Sequence, residues 1–170
     1  MKLRLLLAAS ASLASVAAAA PLADAQPRSQ IRIEQTGTNN QIAGRQSGYQ
    51  VSLSVKQDGY GQYIQAAQRG ARTVAAIRQY GARNEAVLTQ DGWRNRSFIG
   101  QLGAYNRNST YQSGSNNITG VAQMGSNNTA VTTQTGSYSA LGVIQVGNGQ
   151  TTNVTQTRNG EVKLVIQGGF

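Results

Sequence analysis

The sequence predicts an all-β fold: a β-solenoid of about six 22-residue rungs, amyloid-like and cross-β, with parallel stacked strands. A glutamine recurs at every eleventh position without a slip, and the positions between glutamines alternate apolar and polar as in a strand. The composition agrees. Only 39% of the 170 residues are hydrophobic, so a packed aliphatic core offsets little of the backbone entropy of about 1–2 kcal/mol per residue. Something besides such a core must order the chain.

Residues 1–25 have the pattern of a secretory signal peptide. Lys2 and Arg4 form a basic start, residues 5–20 are apolar, and Ala23-Asp24-Ala25 is an A-x-A cleavage site. We therefore expect a signal peptide at 1–25, an N-terminal lead-in segment at 26–34, and a repeat domain at 35–170 whose last unit, 156–170, is atypical. Cleavage would remove two basic residues and one acidic residue, and so lower the net charge from +9 to +8. The processed protein is predicted to be basic and to work outside the cytoplasm.

Three residue types recur in phase along the repeat domain. The repeat glutamines are Gln35, Gln46, Gln57, Gln68, Gln79, Gln90, Gln101, Gln112, Gln123, Gln134, Gln145, Gln156 and Gln167. Two positions after them come Gly37, Gly48, Gly59, Gly70, Gly81, Gly92, Gly103, Gly114, Gly125, Gly136, Gly147 and Gly169. Five positions after them come Asn40, Asn84, Asn95, Asn106, Asn117 and Asn128, with Gln62 and Gln150 as near substitutes. Arg158 is the one break in the glycine series, and the unit is Q-x-G-x-x-N-x-φ-x-φ-x, where φ is usually apolar.

The repeat predicts which residues face inward. The Asn, both φ positions and the next Gln share one face of a short strand, and the repeat glycine permits a tight turn. From residue 35 to 157, all charged residues fall at the other positions, as expected if the first set lines a dry interior. Two units then make one rung, residues i and i+22 lie above one another, and buried Gln and Asn amides form hydrogen-bonded ladders. The top and bottom rungs are open edges.

The composition also bears on chemistry. The chain has no Cys and no His, so thiolate or histidine metal sites and the usual nucleophilic triads are not expected. The five carboxylates outside the signal peptide are scattered along the chain, which argues against a secreted β-helical polysaccharide lyase or hydrolase. A calcium-binding repeat would need Asp at a fixed position, and an ice-binding or ligand-binding solenoid would need a regular Thr array. We expect no enzymatic activity, no catalytic or metal-binding residues and no cofactor.

Ser29-x5-Gln35-x-Gly37-x-x-Asn40, repeated as Q-x-G-x-x-N through most of the chain, closely resembles the curlin repeat of curli fibre subunits. The resemblance implies a structural subunit of extracellular functional amyloid fibres in biofilm and adhesion, exported through an outer-membrane curli secretion pore with accessory factors. It implies self-polymerisation and co-polymerisation with other curlin subunits, governed by the repeat Gln and Asn positions. Nearly every half repeat carries the glycine here, and the last unit is aberrant, so the chain looks more like the minor, nucleating subunit than the major one.

Charges on the outer faces give a further hypothesis. Arg72 and Arg94 are two repeat units apart, as are Lys56 and Arg78, so each pair places like charges on neighbouring rungs. We interpret these four residues as gatekeepers that delay premature fibre formation. The basic surface, with aromatic residues at the turns, also suggests extracellular DNA, polysaccharide or a host surface as partners. No motif for specific nucleic-acid readout is present.

Overall fold

The computed structural model describes residues 5–9, 15–19 and 29–169, and these contain strands but no helix. No helix long and apolar enough to cross a membrane is found in those ranges. The strands are β1 Leu5–Ala9, β2 Ser15–Ala19, β3 Gln30–Thr38, β4 Gln41–Tyr49, β5 Ser52–Tyr60, β6 Tyr63–Ala71, β7 Val74–Ala82, β8 Glu85–Trp93, β9 Arg96–Ala104, β10 Arg107–Ser115, β11 Ile118–Ser126, β12 Thr129–Gln134, β13 Ala140–Asn148, β14 Thr151–Gln156 and β15 Val162–Gly169.

The strands form two parallel sheets, each built from alternate repeat units. Sheet A has the order β1-β3-β5-β7-β9-β11-β13-β15, and sheet B has the order β14-β12-β10-β8-β6-β4-β2. From β3 onward every strand pairs with the strand two repeat units later, as in Gln57 opposite Gln79 and Gln101 opposite Gln123. The predicted β-solenoid of about six rungs, with two strand-turn units per rung, is confirmed.

Two further strands lie inside the predicted signal peptide. β1 pairs with β3 and β2 pairs with β4, with Leu5 opposite Ile31 and Ser15 opposite Gln41, which is a longer offset than the two-unit spacing of the repeat domain. The proposed cleavage site at residues 23–25 lies outside the described residues, and the signal peptide stays a prediction. Its removal would take away both strands and leave β3 and β4 as the N-terminal edges.

The interior follows the predicted alternation. Repeat Gln and Asn side chains are buried with the apolar φ residues, which form one cluster from β3 to β9 and a second from β11 to β14. Between the clusters polar residues occupy φ positions, and Thr110 donates to Asn108 Oδ1 at 3.0 Å while Thr132 donates to Thr110 Oγ1 at 2.9 Å. The apolar core is therefore interrupted by a hydrogen-bonded polar layer.

Each turn has a left-handed residue two positions after the place of the repeat glycine. The fourth residue after each repeat Gln from 35 to 156 has φ between 53° and 71°, the left-handed region that bulky L-residues adopt at a cost. Nine of these twelve residues are not glycine, and they include Arg72, Arg94 and Tyr105. The repeat glycine comes two positions earlier, near the end of the strand in most units, and ten of the twelve repeat glycines also have positive φ.

The unit that lacks the glycine disturbs the rung before it. Arg158 occupies the glycine position of the unit that stacks on Gly136, and β12 and β14 each end at the repeat glutamine. A Cβ on Gly136 would lie 2.5 Å from the Arg158 carbonyl oxygen. Ten of the other eleven repeat glycines have φ between +99° and +132°, and Gly136 is outside that group. The positive φ of the repeat glycine thus recurs from rung to rung, and it is lost at Gly136, which stacks on the unit with Arg158.

Candidate functional site

Two continuous columns of glutamine amides run through the interior of the stack. In each, the Nε2 of one Gln donates to the Oε1 of the Gln two repeat units later. The distances run from 2.7 to 3.0 Å in sheet A, from Gln35 to Gln167, and from 2.7 to 2.9 Å in sheet B, from Gln46 to Gln156. All of these amide-to-amide bonds point the same way, so the columns have a polarity. The predicted glutamine ladders are present.

The second proton of the same amide makes a bond that the sequence analysis missed. Gln101 Nε2 also donates to the Glu85 carbonyl oxygen at 2.9 Å, which lies in the opposite sheet. Gln123 repeats this contact with the Arg107 carbonyl at 2.9 Å, and Gln145 with the Thr129 carbonyl at 3.0 Å. Each of these glutamines therefore joins neighbouring rungs and also ties sheet A to sheet B.

The asparagines bond mainly to the backbone of the turn. Asn84 Nδ2 donates to the carbonyls of Tyr80 at 3.1 Å and Gly103 at 3.0 Å, and its Oδ1 accepts the Asn106 backbone N–H at 3.1 Å. The other five repeat asparagines make the same kind of contacts, and one side-chain pair, Asn106 to Asn84 at 3.2 Å, resembles the expected ladder. Gln62 takes over the role, with 3.0 Å to the Gly81 carbonyl. The Asn column thus holds each turn against the corresponding turn of the next rung.

The repeat glycines stack directly on one another. A Cβ on Gly103 would lie 1.9 Å from the carbonyl oxygen of Gly125, and one on Gly59 would lie 1.8 Å from that of Gly81. Real Cβ atoms do not approach backbone oxygen this closely, and a φ near +119° at Gly103 disfavours a side chain as well. Glycine is therefore required at this position of the repeat wherever the backbone of the next rung stacks directly on it.

The two ends of the stack differ. Gln35 Oε1 is buried and has no hydrogen-bond partner among the described residues, and Ala9 of β1, which has no amide side chain, lies opposite Gln35. At the other end, β15 carries Lys163 at an inward φ position, 3.5 Å from Glu161 at the Asn position. One end therefore offers an unsatisfied amide acceptor, and the other offers a charged pair.

Three of the four residues interpreted as gatekeepers have a neighbour that engages their side chain. Lys56 lies opposite Arg78, and its Nζ is 3.5 Å from Glu34 Oε2. The hydrogen bond from Arg32, and then the nearby charges of Arg32 and Lys56, hold the pKa of the half-buried Glu34 carboxyl below its usual value.

Arg72 and Arg94 occupy successive turns at the left-handed position. Arg72 Nε donates to Gln50 Oε1 at 3.2 Å, and the Arg94 guanidinium lies 4.0 Å from the centroid of the Trp93 ring. On the opposite side of the stack, Arg83 lies between Tyr60 and Tyr105, and the hydrogen bond with Tyr105 raises its pKa. These turn aromatics are therefore already engaged with arginine.

No family model matches the chain, and no curated protein or solved structure matches it either. Within the ranges described above, no group of three His, Cys, Asp or Glu residues is placed to hold a metal ion. The described residues form a stack of rungs in constant register, with columns of polar amides inside and two ends that differ in structure.

Proposed function

We propose that this protein is a structural subunit of an extracellular functional amyloid fibre of the curli type, and more specifically the minor subunit that nucleates polymerisation. The Q-x-G-x-x-N motif supports the family. The observation that carries the proposal is the two-unit register, which holds from β3 to β15 without a slip. A rung that fits the next rung within the chain also fits the first rung of another chain of the same repeat.

The polarity of the glutamine columns supports head-to-tail growth. The buried Gln35 Oε1 requires an amide donor from below, and an in-register curlin rung would supply a glutamine Nε2 there, as Gln35 itself does for Gln57 at 3.0 Å. β1 cannot do so because Ala9 stands at that place. Removal of residues 1–25 would therefore expose β3 and β4 as a template that carries the acceptor ends of both glutamine columns, at Gln35 and Gln46.

The last rung supports the nucleating role. Lys163 continues the column of Ile31, Leu53 and Leu141, so a chain added beyond β15 would cover a charged side chain. Burying a charge costs on the order of several kcal/mol. The attraction between Glu161 and Lys163 offsets only part of this cost. The C-terminal end is thus the weaker template, and growth proceeds mainly from the β3 and β4 edge.

Purified residues 26–170 provide the test. Incubation should give thioflavin-binding fibres with a meridional reflection at about 4.7–4.8 Å, and substoichiometric amounts should shorten the polymerisation lag of a second curlin. A processed chain that stays monomeric, or is mainly helical by circular dichroism, contradicts the fibre proposal. Fibres that form readily but do not accelerate the second curlin favour the major fibre subunit instead.

A nucleator should also keep its fibres at the cell. Under the minor-subunit proposal, deletion of residues 157–170 is expected to release fibres into the medium. Fibres that remain attached after this deletion would count against the nucleating role and leave the fibre proposal intact.

A further inference from the structure

The outer face of sheet A changes character along the stack. Eight large hydrophobic side chains other than Tyr and Trp are exposed in the described part of the chain, and all eight lie on this face. They are Phe98, Leu102, Ile118, Met124, Val146, Val162, Leu164 and Ile166. The same rungs of sheet B present mainly Thr, Ser, Asn and Tyr, as Thr129, Thr133 and Thr155 illustrate, together with Arg107 and Val131. One broad face of the solenoid is thus apolar and the other is polar.

A groove runs across this apolar face. It has a volume of about 560 Å³, and its floor includes Gly100, Gly120 and Gly142, with Phe98 at one end and Leu164 at the other. A Cβ at Gly100 or Gly120 would meet nothing within 4 Å. Gly100 and Gly120 therefore leave room for a side chain from outside, whereas a Cβ on Gly142 would lie 2.9 Å from Leu164 Cδ1.

We propose that this face binds the same face of a second copy of the chain, so that two antiparallel stacks pair about a two-fold axis along β11. The register places β9 and β13 on either side of β11. The two-fold then sets Phe98 against Gly142 and Gly100 against Ile144. On β11 itself, the small residues Gly120 and Ala122 face their own counterparts. Ile144 thus lies over Gly100, and Phe98 lies over Gly142 beside Leu164. In the column of Met124, Leu102 meets Val146 and Met124 meets its own counterpart.

Charge favours a second copy as the occupant. The chain has a net charge of +9, so most faces of two copies repel each other. On the outer face of β9, β11, β13 and β15, the one charged residue is Arg96, at the edge. Arg78 of β7 lies at the rim of the groove, where the two-fold sets it against Ile166. Like-charged copies can therefore approach on this face without opposing charges at its centre.

The area of contact between the two stacks indicates at which stage of assembly they pair. Five strands at about 4.8 Å and a width of about 20 Å give about 500 Å² per copy, or about 1,000 Å² for the pair. That is near the lower limit for a specific interface, so single subunits pair weakly. Each added subunit repeats the contact, which makes pairing stable in long stacks. The inference therefore rests on the proposed fibre function.

Mass per length of filaments grown from residues 26–170 tests the proposal. Paired stacks carry two rungs per about 4.8 Å of filament, and a single stack carries one. Ala122→Arg places an arginine against its own counterpart on the two-fold axis, and should halve the mass per length. Thr133→Arg is the matched control, because Thr133 has the same position in its repeat unit on the outer face of sheet B. It should leave the mass per length at the paired value.

The outcomes separate the two proposals. Wild-type filaments with one rung per layer would overturn the pairing and leave the fibre function intact, and so would equal effects of the two arginine variants. Chains that form no filament overturn both. Single filaments that bind phosphatidylethanolamine–phosphatidylglycerol vesicles, and lose this binding with Ala122→Arg, would assign the face to a membrane and refute the pairing.

Discussion

Replacing one glutamine of the buried column tests the physical basis of the stack. Gln101→Leu keeps a side chain of similar size at a position that is 1% exposed. It removes the acceptor of Gln79 Nε2 at 2.7 Å and the donor to Gln123 Oε1 at 2.8 Å. It also removes the bond to the Glu85 carbonyl in the opposite sheet. We expect a clear loss of stability.

The magnitude follows from the groups left without partners. Each buried polar group that loses its hydrogen bond costs about 1–3 kcal/mol, and two amide groups of the column are affected. The buried leucine returns part of this through its apolar surface. The net loss should be about 2–4 kcal/mol, which for a chain of this size lowers the thermal midpoint by about 5–15 °C.

The matched control is Gln65→Leu, the same substitution on the outer face of β6. Gln65 is exposed, and its side chain accepts a single bond, from the Tyr63 hydroxyl at 3.0 Å. Its midpoint should stay close to that of the wild type, because exposed substitutions usually change stability by less than about 0.5 kcal/mol. Thermal unfolding followed by circular dichroism compares the variants. Equal midpoints for Gln101→Leu and Gln65→Leu would refute the ladder as a source of stability.

Three further predictions concern the glycine column, the gatekeepers and pH. Gly103→Ala should abolish hydrogen-exchange protection in β9 and β11, because its Cβ would strike the next rung. The control, Gly44→Ala, should keep this protection, because its Cβ would meet only the Leu53 side chain, at 3.3 Å. Arg94→Asn should shorten the fibrillation lag several-fold at low salt by removing a like charge. The control is Arg83→Asn, which also replaces an arginine at a left-handed turn position but has no arginine stacked on it. An equal effect of this variant would exclude repulsion between like charges as the cause. Because the pKa of Glu34 is lowered in the folded protein, its carboxylate stabilises the fold at pH values above the usual pKa of 4.5. This stabilisation is lost as the pH falls through the lower pKa of the folded state. Thermal midpoints at pH 7 and pH 3 should therefore differ less in Glu34→Gln than in the wild type.

The apolar face of sheet A shows how a pattern can be present in a sequence and still be missed. A comparison at the eleven-residue period mixes the two sheets. Because successive units alternate between sheets, Phe98, Gly120 and Gly142 align only when odd and even units are considered separately. The doubled period reveals the face.

The sequence by itself determined the period, the rung, the inward-facing set and the glutamine columns. These depend on strand alternation and on the cost of burying a charge or an unpaired amide, and both act locally and identically in every unit. The tertiary structure decided the second bond of each glutamine, the backbone partners of the asparagines and the reason for the glycines. Those depend on which carbonyl lies above a given atom, and the distance between rungs and the path of the turn are set only when the chain has coiled back on itself.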